Sequence, residues 1–241
     1  MRSLEQQTVA VIGGSSGIGL EVARQASALG ARLVIAGRDP AKLANATAGL
    51  SGEVRTAALD AHDQAALDGF FAALGGADHV VSMIGDSMAG GFLATTPATM
   101  RHVLHSKFWT NWLIGRNAAT CLREGGSITF TAGTGGRPHE ISATYVANLA
   151  IGVLVQGLAA ELAPGIRVNA IAPTFMGTAT AFWRGMPPSD LAAAEAAFRD
   201  SVPLKRLATA AEAAAAYIHL MTNSFITGQV LAVDGGVMLA K

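Results

Sequence analysis

The chain has 241 residues, 51% hydrophobic and 14% charged, with seventeen basic and seventeen acidic side chains that cancel. This suits one large core in a single dinucleotide-binding domain over residues 1–241 and leaves no basic face for nucleic acid or for an anionic membrane surface. The lone Cys121 cannot close an internal disulfide, Met1 to Gln7 is polar where an export signal would be apolar, and no unbroken run of about 18 apolar residues occurs, so a soluble cytoplasmic protein is expected.

Short β-rich runs alternate with longer Ala/Leu stretches. They fall at Thr8 to Ile12, Arg32 to Ala36, Val54 to Leu59, His79 to Ile84, Ser127 to Thr131, Arg167 to Ile171 and Gln229 to Val233. Their near-continuous apolarity predicts strands buried on both faces, and the alternation with helices predicts a parallel sheet between helical layers, a doubly wound α/β fold.

After the first run comes Gly13-Gly14-Ser15-Ser16-Gly17-Ile18-Gly19, then an amphipathic stretch to Leu29. Glycines at the first strand-to-helix junction let the backbone approach a pyrophosphate, whose charge the N–H groups of a helix N-terminus favour. Gly13, Ser15, Ser16, Gly17, Ile18 and Gly19 are therefore expected to hold a dinucleotide, although such turns also arise for packing alone. At the end of the second run Gly37-Arg38 stands where an acidic side chain would hold the ribose 2′-hydroxyl of NAD. A guanidinium suits a 2′-phosphate, so NADP(H) is expected over NAD(H), the plain alternative being an exposed arginine paired with Asp39. Asp60, closing the third run, is placed to accept from the adenine amino group or to cap the following helix.

Met100 to Arg123 and Thr144 to Leu162 read as long, largely apolar helices, and two loops break the rhythm. Thr131 to Pro138 is glycine-rich, and Pro173 to Pro203 carries four prolines, Phe175, Phe182 and Trp183 around a helical patch at Leu191 to Phe198. Loops beyond the carboxyl ends of the strands line ligand sites in such sheets, so residues 173–203 read as a substrate lid, against a plain surface excursion. Met83, Met88, Phe92, Phe175, Met176, Phe182 and Trp183 would give an apolar pocket wall or belong to the core.

These segments resemble the short-chain dehydrogenase/reductase family over essentially the whole chain. The resemblance rests on the GxxxGxG spacing, Leu59-Asp60-Ala61-His62-Asp63, Ile166 to Pro173 (IRVNAIAP), Val202-Pro203-Leu204-Lys205-Arg206-Leu207, and Ile226 to Gly236. It implies a Rossmann-type three-layer sandwich with seven parallel strands in the order 3-2-1-4-5-6-7, a homotetramer or homodimer, and a small-molecule substrate. It also implies cofactor contacts from Ser82, Gly85, Thr131, Pro173, Thr174 and Thr178.

The catalytic positions depart from the family pattern. Ser82-Met83-Ile84-Gly85 replaces Asn-Asn-Ala-Gly, Gly133 falls where the serine belongs, and Thr144 and Asn148 fall at the tyrosine and lysine of Tyr-x-x-x-Lys. Tyr145 is one residue off, and a register using it puts Leu149 at the lysine. In the family the tyrosine handles the carbonyl proton and the lysine ammonium lowers its pKa, so the ordinary mechanism is expected to be impaired. Lys107 aligns with the family's helix asparagine and offers a replacement cation, either for Tyr145 or for the substrate carbonyl, unless it snorkels to solvent. His139, His102 and His105 are weaker substitutes, and the His102/His105 spacing lacks a third ligand, so no metal is expected. The leading expectation is an atypical NADP(H)-dependent dehydrogenase/reductase acting on an apolar carbonyl or alcohol through Lys107, Tyr145 and Asn148. A redox-silent sensor or scaffold, and a lyase or isomerase in the same pocket, are the alternatives.

Overall fold

The computed structural model describes residues 3–176 and 187–239. Strands β1 (Thr8–Ile12), β2 (Arg32–Gly37), β3 (Val54–Ala58), β4 (Ala77–Ser82), β5 (Leu122–Thr131), β6 (Arg167–Pro173) and β7 (Val230–Val233) form one seven-stranded sheet in the order β3-β2-β1-β4-β5-β6-β7. Every adjacent pair is parallel. The chain winds outward from β1 to β3 and returns beside β1 as β4, which opens a crevice at the carboxyl ends of β1 and β4.

Apolar runs form these strands because both faces are covered. Ala10, Ile12, Val34 and Ala36 pack in one core with α3 (Gln64–Leu74), α5 (Thr110–Cys121) and α6 (Ser142–Leu162). The alternate residues Val9, Val11, Leu33 and Ile35 pack in a second core with α1 (Gly17–Ala28) and a C-terminal helix, α8 (Ala210–Thr222), whose Tyr217, Ile218 and Met221 are buried. Helix α8 starts with a reciprocal capping box between Thr209 and Glu212, and the Arg206 guanidinium beside Glu212 pulls that carboxyl down to about 2. Helix α6 is 21 residues long and apolar enough to span a bilayer by length and composition, but its Ile151, Leu154, Val155 and Ala159 sit in the core.

The structure corrects three expectations of detail. Strand β5 starts at Leu122, five residues before the expected Ser127. The helix expected from Met100 to Arg123 is three pieces: α4 (Pro97–Val103), a π turn over Leu104–Trp109, and α5. The patch at Leu191 to Phe198 is the middle of a longer helix, α7 (Pro188–Ser201), that buries no residue of its own, although Phe198 meets Phe175 edge-on at 5.4 Å. Thr178, Phe182 and Trp183 lie outside the described residues. Met176 is 5% exposed and belongs to the second core, the alternative open to these residues, whereas Phe92 is 52% exposed.

Candidate active site

The glycine-rich turn joins β1 to α1. The N–H groups of Gly13 and Gly14 donate to Ala36 O at 2.8 and 3.3 Å, which fastens the turn to the end of β2. Glycine is required for two separate reasons. Gly13 has φ +87° and a Cβ there would lie 2.9 Å from Met83 Cβ, while a Cβ on Gly19 would lie 2.4 Å from the Gly13 carbonyl oxygen. Helix α1 follows directly, with no acidic side chain in its first turn. The cradle of free helix N–H groups and missing side chains fits a dinucleotide pyrophosphate.

At the end of β2, Gly37 makes room for Ser15, whose Oγ would stand 3.0 Å from a Cβ at that position. Arg38 is exposed, and among the described residues it forms no ion pair with Asp39. Asp39 instead caps α2 (Pro40–Thr47), where Oδ1 accepts from the N–H groups of Ala41 at 2.9 Å and Lys42 at 3.2 Å. The helix-cap alternative for Asp60 does not hold, because Asp63 caps α3. Asp60 closes a tight turn by accepting from His62 N–H at 3.1 Å.

His62 had no signal in the sequence. Its Nδ1 lies 2.9 Å from Thr110 Oγ1, and the Thr110 hydroxyl donates to His105 O at 3.0 Å. Nδ1–H is therefore the donor to Thr110, which leaves Nε2 as an acceptor. Burial lowers the pKa of this ring, opposed by Asp60 and Asp86.

Several expected contacts have their side chains engaged within the protein. Ser82 is fully buried and donates to Asn111 Oδ1 at 2.6 Å. The Thr131 hydroxyl donates to Ser82 O at 2.7 Å and so accepts from Tyr217 Oη–H at 2.7 Å. Burial pushes the Tyr217 pKa up, which removes one of the chain's two tyrosines as a proton carrier near neutral pH. Thr174 is 8% exposed, with its Oγ1 placed 3.1 Å from where a Cβ on Gly135 would stand, beside Pro173 at the end of β6.

The expected catalytic residues divide. Lys107 does not snorkel: it is 4% exposed, its stem lies against Gly85, where a Cβ would come within 2.8 Å of Cγ, and its Nζ donates to Ala132 O at 3.3 Å. Burial draws its pKa down to about 8, with Asp86 acting in the opposite direction. The π turn holds it there. Thr110 N–H donates to His105 O five residues back, and Asn111 Nδ2–H donates to Lys107 O and, at 3.0 Å, to Ile84 O. Asn148 comes to the neighbouring residue, its Nδ2 lying 2.9 Å from the point where Gly133 would carry a Cβ. Its Oδ1 is buried without a hydrogen-bond partner among the described residues. Lys107 and Asn148 thus converge on Ala132-Gly133 at the end of β5, where no serine hydroxyl projects.

No hydrogen bond among the described residues ties the Tyr145 side chain to this point. Thr144 and Asn148 share one face of α6, and the Thr144 hydroxyl donates to Met88 O at 3.0 Å and accepts from Met88 N–H at 2.7 Å. Tyr145 sits about 100° around the helix, on the row of Leu149, which is 61% exposed. Asn148 is the α6 residue set against Gly133, and Tyr145 is rotated off Thr144 while standing three residues, about 60°, from Asn148. His139 is also remote in character, exposed and 3.9 Å from Glu140.

A family model described as enoyl-(acyl carrier protein) reductase matches residues 12–238. Galactitol 2-dehydrogenase (L-tagatose-forming) of Cereibacter sphaeroides is 32% identical over 248 residues, covering 97% of this chain and 95% of that protein. Among solved structures, a small-chain dehydrogenase in complex with NADPH aligns with TM-score 0.82 at 29% identity, over 98% of this chain and 100% of its own. A short-chain dehydrogenase/reductase from Brucella melitensis, a glucose/ribitol dehydrogenase, aligns with TM-score 0.86 at 26% identity, over 97% of both chains.

Proposed function

The chain belongs to the short-chain dehydrogenase/reductase family, and from that premise we propose an NADP(H)-dependent oxidoreductase in which Lys107 takes over proton handling at a mostly apolar carbonyl or alcohol. The observation that carries this reading is the buried Lys107 ammonium, aimed at the end of β5 with one hydrogen bond, to Ala132 O, among the described residues. The cradle of Gly13, Ser15, Ser16, Gly17, Ile18 and Gly19 would hold the pyrophosphate. Arg38 would meet the 2′-phosphate, Asp60 the adenine, and the backbone at Gly85, Pro173 and Thr174, with Thr178, the nicotinamide end. A bound NADPH would supply the hydride. An NADPH complex of a structural relative supports this cofactor, as does the engagement of Asp39 in a helix cap, which leaves Arg38 unpaired by it.

In the reductive direction Lys107 would donate a proton to the oxygen of the carbonyl that the cofactor's hydride would reduce, and the neutral amine left behind would regain its proton from water. Asn148 orients the oxygen beside it. A pKa of about 8 puts the lysine near the range where a general acid works at neutral pH. Reduction then requires the ammonium and declines as pH rises through about 8, whereas oxidation requires the amine and rises over the same interval. The exposed row Val146, Leu149 and Val153 on α6 favours burial against a second copy.

The displacement of Tyr145 favours a second reading, a nucleotide-binding protein without turnover. NADPH absorbance, followed with stoichiometric protein across aldehydes, ketones, quinones and conjugated enones, separates the two. Oxidation by the wild type that is lost in Lys107→Met supports the oxidoreductase, and bound NADPH that survives the whole panel overturns it.

A further inference from the structure

An ammonium in a buried place needs a counter-charge that does not consume its protons. The π turn carrying Lys107 packs against α4, α5 and α6. Helix α4 offers Arg101 and His102, α5 offers Arg116, and α6 offers Tyr145 with Glu161 at its far end, while the π turn itself holds His105. None of these counters the burial of Lys107. The group that does is Asp86, on the loop leaving β4 directly after Gly85.

Asp86 is near the lysine in the chain's fold without being bonded to it. Its backbone N–H donates to Ser106 Oγ at 3.2 Å, which ties it to the residue preceding Lys107, and Gly85 beside it abuts the lysine stem. Its carboxylate, however, turns outward. Oδ2 accepts from His102 Nε2–H at 2.8 Å, and among the described residues no ion pair closes between Asp86 and Lys107. A direct pair would hold the lysine protons in a charge-assisted bond and withdraw them from a substrate oxygen.

We propose that Asp86 and His102 are a positioning pair for Lys107: the Asp86 carboxylate supplies the field that keeps the lysine an ammonium, and His102 holds that carboxylate outward so that it does not close on the lysine. The proposal rests on the oxidoreductase reading for its catalytic meaning, but its electrostatic content is testable without turnover. It gives the two residues opposite effects. Removing the carboxylate weakens the hold on the proton, and removing the histidine frees the carboxylate to reach Lys107 and strengthens it.

The experiment is a pH titration of lysine side-chain nitrogens by NMR in 15N-lysine protein. The Lys107 signal is identified by its loss in Lys107→Met from among those of Lys42, Lys205 and Lys241. Asp86→Asn should move the Lys107 midpoint down by on the order of one pH unit, and His102→Ala should move it up. His102→Gln, which keeps an N–H donor, should restore the wild-type midpoint, and the double variant Asp86→Asn/His102→Ala should titrate like Asp86→Asn. Both side chains are more than half exposed, so the variants should keep the fold. An unchanged midpoint in Asp86→Asn, or a downward shift in His102→Ala, overturns the pairing. The alkaline limb of carbonyl reduction should follow the same displacements. If the midpoints move as expected and no carbonyl is reduced, the pairing stands and the oxidoreductase reading falls.

Discussion

At the amino end of the sheet the ring of His79 has both nitrogens bonded, Nδ1 to Ser127 Oγ at 2.8 Å and Nε2 to Gln7 Oε1 at 3.0 Å. At the carboxyl end Lys107 has one hydrogen-bond partner at 3.3 Å and Asn148 Oδ1 has none among the described residues. Both basic groups are held below their ordinary pKa by burial, His79 at about 4 and Lys107 at about 8, with Arg167 adding to the effect at His79 and Asp86 opposing it at Lys107. Buried polar groups in folded proteins are normally satisfied, so the contrast sorts the two ends by purpose. At the amino end the His79 cluster is closed and ties β4 to β5, although Arg32 Nε there is buried without a partner, and at the carboxyl end Lys107 and Asn148 keep hydrogen-bonding capacity open among the described residues.

Changes at the open end should impair function without weakening the fold, and changes at the closed end should do the reverse. The largest effect is expected for Lys107→Met, with carbonyl reduction lower by about a thousandfold and NADPH affinity within about threefold by fluorescence titration, since the phosphate cradle is elsewhere. The same variant should be more stable by about 1–3 kcal/mol in urea, because it removes a buried charge. The sign follows from linkage. A lysine at about 8 when folded and 10.5 when unfolded lowers stability as pH falls through that interval, so the gain is fullest below pH 8. A variant less stable than wild type would contradict the contrast.

His79→Asn tests the closed end. The folded ring titrates at about 4 and the unfolded one near 6.5, so the unfolded chain takes the proton first, and wild-type stability should decline by about 3 kcal/mol as pH falls across that window. Urea unfolding of the variant between those pH values should show a flatter decline and a lower plateau at neutral pH, with NADPH binding intact. Gly19→Ala, back at the open end, inserts a Cβ 2.4 Å from the Gly13 carbonyl oxygen and should weaken NADPH binding by about a hundredfold, with the circular dichroism of the wild type. Arg38→Gln is the mildest, reducing the preference for NADPH over NADH by about tenfold while NADH affinity holds. Equal loss for both cofactors would dissociate Arg38 from the 2′-phosphate.

Fold and cradle were legible because local chemistry determines them. The continuous apolar runs become strands buried by two cores, and Gly13, Gly14 and Gly19 stand where a Cβ has no room. The carboxyl end was legible only as a list of absences. That Gly133 carries no hydroxyl can be counted along the chain, but that Asn148 fills its place depends on how α6 lies over β5. Tyr145 looked available because adjacency in sequence hides the rotation per residue of a helix. Asp86 and His62 gave no sign, since each acts through a residue distant in sequence, His102 in one case and Thr110 in the other.

The π turn at Leu104–Trp109 carries a consequence for how such a site can evolve. The extra residue in that turn sets which way position 107 points, and Thr110 and Asn111 fasten the displaced carbonyls of His105 and Lys107. Residue identity at 107 can drift one substitution at a time while the backbone stays put. Length cannot, because losing one residue would rewind every later side chain by about 100° and swing α5 off the sheet. Lineages carrying this segment are thus free to exchange the chemistry at its tip but are held to its count, so alignment gaps should be rarer here than substitutions.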